Sequence, residues 1–200
     1  MEWERLLSLR HLPRTGWVLR GVPASIAETV ADHSFLTALV AIDVARRARE
    51  RGFELELEKV LAMSILHDVA EAVTGDVVRY VKQLDEELFG KAEEEALRSL
   101  GLGAYSALLA ELRRLESPEA LVVKASDDLA TIIEGSRLLR QGYAGVEEIL
   151  DNVCRHVEEL SARARREFGD SLADAVEAVL KDSGAYCPPR SQPRRGESLP

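Results

Sequence analysis

The sequence is poor in cysteine, and the spacing of the few that occur excludes the common zinc-binding pattern. Cys154 and Cys187 are the only cysteines in 200 residues, and neither belongs to a Cys-x-x-Cys pair. Cys187 also lies in a proline-rich C-terminal segment. We therefore assign no chemistry to either cysteine.

Long apolar runs and an excess of basic residues are also absent from this sequence. The longest apolar run, residues 35–45, contains a charge and is shorter than the ~20 residues that a membrane span needs. The formal net charge of −9 disfavours a broad contact with a nucleic-acid backbone. The N-terminal segment MEWERLLSLR does not resemble a signal peptide. We therefore expect a cytoplasmic location, no membrane partner and no nucleic-acid polymer, although a metal could still hold a small phosphorylated ligand.

Apolar residues recur with the period of an α-helix through almost the whole chain, and no segment has the clear alternation of a strand. The pattern predicts one compact all-α domain of about eight to nine helices over residues 1–182. Residues 183–200 have no periodicity and are rich in proline and arginine, which predicts a disordered tail.

Several helix boundaries are marked by cap signals. Thr29 and Asp32 form a capping box that predicts a helix over about 30–51. A second helix is predicted over about 56–72, ended by Thr74-Gly75, after which Asp76 could cap the next element. Further helices are predicted over about 118–141, where a Ser-Pro pair begins the pattern, and over about 146–168 and 171–181.

The segment 13–28 is long for a loop between helices, and loops of that length in compact domains usually carry function. It contains Trp17 and the arginines Arg14 and Arg20. We therefore interpret it as a binding loop.

Histidine and carboxylate side chains interrupt three segments that otherwise have the composition of a core. His33 begins one of them, His67-Asp68 interrupts AMSILHDVAEAV, and an Asp-Asp pair interrupts LVVKASDDLATII. Burying a lone carboxylate is costly, and a divalent cation removes that cost. Taken singly, each residue also has a structural explanation, as a hydrogen-bonded core histidine, a helix cap or a partner of a nearby lysine. The residues alone therefore indicate a candidate metal site without proving that the three segments meet.

The same residues resemble the H…HD…D signature of the HD-domain metal-dependent phosphohydrolases. The longer pattern RTGWVLRGV…ETVADHS…LHDVAEAVTGD…VVKASDDL is similar to the branch of 5′-deoxynucleotidases, which remove phosphate from deoxynucleoside 5′-monophosphates. Asp127 is preferred to Asp128 because it occupies the K-x-x-D position after Lys124. The resemblance implies one divalent cation such as Mn²⁺, Co²⁺ or Mg²⁺, with four ligands: His33, His67, Asp68 and Asp127.

The resemblance also implies roles for two further carboxylates. Glu71 would orient or deprotonate the attacking water, and Asp76 would protonate the leaving 5′ oxygen. In such an enzyme the substrate is a small nucleotide, and members of the family lead us to expect a homodimer.

The resemblance also implies arginine and tryptophan side chains that contact the substrate, but it identifies them less specifically than the metal ligands. The Arg-Trp pair that the family places against phosphate and sugar corresponds to Arg14 and Trp17, with Arg20 as an alternate. Surface solvation of the arginines and simple packing of Trp17 are the structural alternatives. Arg79 stands at a substrate-side position where family members carry a small hydroxyl residue, which leaves the substrate open. Other HD hydrolases cleave (p)ppGpp, deoxynucleoside triphosphates or cyclic dinucleotides, and a non-catalytic binding protein is a further alternative.

Overall fold

The computed structural model describes residues 1–189, apart from the side chain of Gln83. In that part of the chain every regular element is helical, which confirms the all-α prediction. Short single-turn helices separate the longer ones, and no described helix is long and apolar enough to cross a membrane. The α-helices are α1 (Trp3–Leu7), α2 (Thr15–Leu19), α3 (Val30–Glu50), α4 (Leu57–Leu66), α5 (Glu71–Thr74), α6 (Arg79–Leu84), α7 (Glu86–Ser99), α8 (Ser106–Arg114), α9 (Pro118–Arg140), α10 (Glu147–Glu167) and α11 (Asp170–Asp182).

The predicted N-caps are present at the first turns of α3 and α9, two central helices of the fold. Thr29 and Asp32 exchange side-chain and backbone hydrogen bonds in a complete capping box at the start of α3. Ser117 accepts a hydrogen bond from the backbone N–H of Ala120 at the start of α9. The sequence therefore determines locally where both helices begin.

The predicted continuous helix over 56–72 is wrong. Helix α4 ends at Leu66, and α5 begins only at Glu71. Between them the backbone bonds tighten to an i→i−3 pattern, with the N–H of Glu71 3.0 Å from the carbonyl oxygen of Asp68. This change moves His67 and Asp68 off the helical cylinder into a tight turn.

The core is centred on α9, which packs against α3 on one side and α10 on another. Most of α9 is buried, including apolar residues throughout its length. At Gly135 a side-chain Cβ would lie 2.8 Å from Leu150 of α10 and 3.0 Å from the ring of Trp17. The absence of a side chain there lets α10 and the N-terminal loop, residues 13–28, approach α9 closely. This segment was predicted as a loop, but it contains α2.

Cys154 of α10 and Cys187 form a disulfide, with Cα atoms 5.9 Å apart. Our assignment of no chemistry to these cysteines was therefore wrong, because a separation of 33 residues carries no local pairing signal. The backbone N–H of Tyr186 donates to the hydroxyl of Ser136 at 2.8 Å. The beginning of the predicted tail thus contacts α9 and α10, whereas its residues 190–200 lie outside the described part of the chain.

Candidate metal centre and substrate cavity

The four side chains predicted to bind metal lie together. His33, His67 and Asp68 each place one potential ligand atom within 4.8 Å of the others. Asp127 joins them through Oδ1, which lies 2.9 Å from Nε2 of His33. His33 is fully buried, and the other three side chains are at most 15% exposed. The cluster is therefore largely shielded from water.

Separate segments supply these residues. His33 lies in the first turn of α3, which the Thr29 cap begins. His67 and Asp68 lie in the turn between α4 and α5, and Asp127 lies inside α9. Because α9 packs against both α3 and α4, the three segments converge at this point of the core.

The two adjacent aspartates of α9 face different groups. Asp127 faces His33, whereas Asp128 accepts a hydrogen bond from Nδ1 of His156 and lies 3.3 Å from a guanidinium nitrogen of Arg79. The residue pattern alone left open which of the two aspartates faces His33, and in the structure it is Asp127.

The orientation of His67 fits a cation. Nδ1 lies 2.8 Å from the carbonyl oxygen of Ser64, and because a carbonyl only accepts, Nδ1 carries the proton of the neutral ring. The lone pair of Nε2 then faces Oδ2 of Asp68 at 3.1 Å, and this buried nitrogen has no hydrogen-bond partner among the described residues. Arg14 supplies a positive charge to the same Oδ2. The lone pair of Nε2 is left without a donor in the described part of the chain, and a metal ion is the partner that suits it.

Glu28 lies behind His33 and was missed by the sequence analysis. Its Oε1 is 3.4 Å from Nδ1 of His33 and accepts a hydrogen bond from Nε1 of Trp17 at 3.0 Å. Burial and the charge of Arg14 act to lower the pKa of His33, but Asp127 and Glu28 outweigh them and raise it to about 9. Glu28 precedes the helix by two positions, so no helical spacing connects it with His33.

Two cations neutralise part of the charge of the cluster. Arg14 donates to Oδ2 of Asp68 at 2.7 Å, and Lys124 lies 2.5 Å from Oδ2 of Asp127. Burial acts to raise the pKa of both carboxyl groups. His67, when its ring is protonated, and Arg14 nevertheless hold the pKa of Asp68 below its usual range, and Lys124 and His33 do the same for Asp127. Both carboxylates are therefore ionised and available to a cation.

Glu71 is buried next to the cluster and accepts a hydrogen bond from Lys82 at 3.0 Å. Burial and the nearby negative charge of Asp68 raise the pKa of Glu71 to about 8, although Lys82 acts in the opposite direction. Its second oxygen, Oε2, has no hydrogen-bond partner among the described residues. That oxygen can accept a hydrogen bond from a water molecule, or accept the proton of that water.

Asp76 does not cap a helix, so that prediction was wrong. Helix α6 begins at Arg79 without a side-chain cap, because Asp76 precedes it by three residues. The carboxylate of Asp76 accepts the backbone N–H of Thr15, and its carbonyl oxygen accepts the Thr15 hydroxyl at 2.8 Å. Asp76 therefore joins the segment after α5 to the N-terminal loop that carries Arg14.

The remaining predicted substrate residues occupy different places. Arg14 reaches the cluster, whereas Arg20 pairs with Glu148 of α10 at 2.7 Å and does not contact the cluster. Trp17 is buried in the core, as the packing alternative states. Arg79 lies near the cluster through its ion pair with Asp128.

A cavity of about 440 Å³ opens beside the cluster. A larger cavity of about 580 Å³ between α10 and α11 contains none of the predicted site residues. Leucines of α7 and α8 form much of the wall of the smaller cavity. Its charged and histidine lining residues are His67, Asp68, Arg79, Glu86, Glu93, Arg113, Lys124, Asp127 and His156. His156 carried no motif, so the sequence analysis missed it.

A family model and several known proteins match most of this chain. A family model described as HD domain matches residues 6–166. A 5′-deoxynucleotidase of Dictyostelium discoideum is 29% identical over 145 residues, which cover 68% of this chain and 74% of that protein. A 5′-deoxynucleotidase of Erwinia tasmaniensis is 30% identical over 157 residues, which cover 70% of this chain and 75% of that protein. The match to a human 5′-deoxynucleotidase spans 62% of the length of that relative.

A solved structure shares the fold. A conserved hypothetical protein from Pyrococcus furiosus aligns over 90% of this chain and 97% of its own, with a TM-score of 0.75 and 28% identity. The alignment extends beyond the segment that carries the motif, so the similarity concerns the whole helical domain.

Proposed function

This chain belongs to the HD domain family, and we propose that it is a metal-dependent hydrolase that removes phosphate from deoxynucleoside 5′-monophosphates. The orientation of His67 carries the proposal, because its unpartnered Nε2 faces Asp68 beside the His33–Asp127 pair. The activity of the matched relatives from Dictyostelium discoideum and Erwinia tasmaniensis supports the reaction.

The proposed cation ligands are His33, His67, Asp68 and Asp127. Two neutral imidazoles and two carboxylates without a thiolate suit Mn²⁺, Co²⁺ or Mg²⁺. Their charges balance a divalent ion once the ion has displaced the proton of His33. When bound, such an ion polarises a phosphoryl oxygen and lowers the pKa of water.

Glu71 is the proposed base. It is one of the few buried carboxylates beside the cluster, and a base whose pKa lies near the working pH transfers protons efficiently. Lys82 holds one carboxylate oxygen of Glu71 and leaves Oε2 to orient the attacking water.

Asp76 is the proposed proton donor to the leaving 5′ oxygen, and Arg14 is the proposed partner of the phosphate. The bonds between Asp76 and Thr15 hold the two groups on neighbouring segments. A guanidinium matches the geometry of phosphate oxygens, and Arg14 can exchange part of its contact with Asp68 for the substrate.

A homodimer and a cytoplasmic location are further parts of the proposal. The outer face of α3 carries Phe35, Leu39 and Ile42 at helical spacing, and all three side chains are exposed. An apolar row of this kind on a surface is typical of a protein contact, and a second copy of the chain is the proposed partner.

A substrate panel tests the reaction. Phosphate release is measured from deoxy- and ribonucleoside 5′-monophosphates, deoxynucleoside triphosphates, (p)ppGpp and cyclic dinucleotides, each with Mn²⁺, Co²⁺ and Mg²⁺. We expect the largest kcat/KM for deoxynucleoside 5′-monophosphates. If only another class of nucleotide is hydrolysed, that class is the substrate in place of deoxynucleoside 5′-monophosphates. If no compound is hydrolysed with any of the metals, the protein is not the proposed enzyme.

A further inference from the structure

We propose that Asp128 is a positioning residue that holds Arg79 as a second phosphate-binding group in the cavity beside the metal cluster. The proposal deepens the function stated above and rests on it only for the identity of the nucleotide. It assigns a role to Asp128, which is not among the proposed metal ligands, and His156 is the second partner that holds this carboxylate in place.

Asp128 connects three helices. It is 2% exposed, and its two oxygens are used by different partners. Oδ1 lies 3.3 Å from Nη2 of Arg79 on α6, and Oδ2 accepts a hydrogen bond from Nδ1 of His156 on α10. Lys124, one turn earlier on α9, lies 3.6 Å from Oδ1. A buried carboxylate is costly, and these partners offset its cost.

The partners of Asp128 are much less buried than Asp128 itself. The side chain of Arg79 is 46% exposed and that of His156 is 28% exposed, and both line the cavity that also contains His67, Asp68 and Asp127. Among the described residues, Asp128 is the only hydrogen-bond partner of either group. One edge of the guanidinium is thus held by Asp128, and its other N–H groups are left for a ligand.

A phosphate oxyanion is the ligand that this arrangement suits. Arginine presents several N–H groups in one plane and binds phosphate oxygens in pairs, most effectively when its orientation is fixed in advance. Lys124 adds a second positive group and also contacts Asp127 at 2.5 Å. The same lysine therefore connects the proposed phosphate contacts with a proposed metal ligand.

Inorganic phosphate is the probe that tests this role, with the Mn²⁺-loaded full-length protein. Its dissociation constant is measured by calorimetry for the wild type, Asp128→Asn, Arg79→Gln and the double variant. Mn²⁺ affinity, KM and kcat are measured in parallel. Arg155→Gln is the matched control, because Arg155 neighbours His156 in sequence but is exposed and pairs with Asp151.

We expect Asp128→Asn and Arg79→Gln each to weaken phosphate binding and raise KM by about tenfold, as the loss of an oriented charged contact predicts. The double variant should be no weaker than Arg79→Gln alone, since Asp128 acts through Arg79. Arg79→Lys should retain part of the affinity. Mn²⁺ affinity should change less than twofold in each variant, and Arg155→Gln should match the wild type.

Unchanged phosphate affinity in Asp128→Asn would overturn the proposal, and so would losses that multiply in the double variant. If Asp128→Asn does not fold, Arg79→Gln decides the question, because Arg79 is exposed at the cavity wall and its loss must weaken phosphate binding. A wild type that binds phosphate but hydrolyses no deoxynucleotide would refute the proposed function and leave this site standing. A wild type that hydrolyses deoxynucleotides normally while Arg79→Gln leaves phosphate affinity and KM unchanged would refute this site alone.

Discussion

Nε2 of His67 lies 3.1 Å from Oδ2 of Asp68, and its lone pair faces that carboxylate because Nδ1 of the same ring donates to the carbonyl oxygen of Ser64. An imidazole so oriented is typical of a metal ligand, whose other nitrogen is usually fixed by a backbone carbonyl or a carboxylate. The tight turn after α4 makes the contact possible, because it places two consecutive side chains beside the same point.

The adjacent aspartates of α9 give a matched pair of variants for the metal. Asp127→Asn should abolish Mn²⁺ retention after gel filtration, because it removes a ligand that contacts His33. Asp128→Asn should retain Mn²⁺, because Asp128 faces His156. The measurement is the metal content per chain. The reverse pattern would show that Asp128, and not Asp127, is the metal ligand.

Glu71→Gln separates chemistry from binding. The variant should bind Mn²⁺ and substrate with little change but lower kcat by about 10²- to 10⁴-fold, the usual contribution of a general base. Exposed Glu87, which pairs with Lys91, provides the control Glu87→Gln, for which kcat should be unchanged. Full activity of Glu71→Gln would exclude the proposed role of Glu71 in proton transfer.

Glu71 also predicts a pH dependence of stability in the metal-free protein. Its pKa is raised to about 8 from the ordinary 4.5, so between these pH values the folded chain binds more protons than the unfolded chain. The free energy of unfolding should therefore fall as the pH rises through this window. Glu71→Gln cannot titrate, and its stability should fall less over the same range. Urea unfolding in the presence of a chelator at pH 5, 6, 7 and 8 measures the difference, and parallel curves for the two proteins would contradict it.

The disulfide should stabilise the fold by joining α10 to the segment after α11. For a loop of the observed 33-residue separation, reduction is expected to cost about 3 to 4 kcal/mol. Unfolding in denaturant with and without a strong reductant measures this cost. The Cys154→Ser/Cys187→Ser variant should unfold at the same denaturant concentration in both conditions. An equal response of wild type and variant to the reductant would show that the bond contributes nothing.

The starts of two helices could be predicted from the sequence, because the capping interactions that determine them involve residues close together in the chain. The Thr29–Asp32 box and the Ser117 cap depend on neighbouring residues, and both helices begin where they were predicted. The break after Leu66 was not predictable from apolar periodicity, because the periodicity continues through His67 and Asp68.

The partners of the site come from distant segments and were only partly accessible to sequence reasoning. His156 matches no motif and reaches the site only because α10 packs on α9. Glu28 belongs to the quoted segment ETVADHS, but nothing in that pattern indicated its contact with His33. Arg14 and Arg20 could not be separated by spacing, but their ion pairs with Asp68 and Glu148 separate them in space.

The most direct test is the recovery of phosphate release from a deoxynucleoside 5′-monophosphate when Mn²⁺ is titrated into chelated protein. We predict no phosphate release without metal and a rise that saturates at one Mn²⁺ per chain. His67→Ala should show neither Mn²⁺ binding nor this rise. Full release from chelated protein, or an equal response of His67→Ala to Mn²⁺, would contradict this prediction.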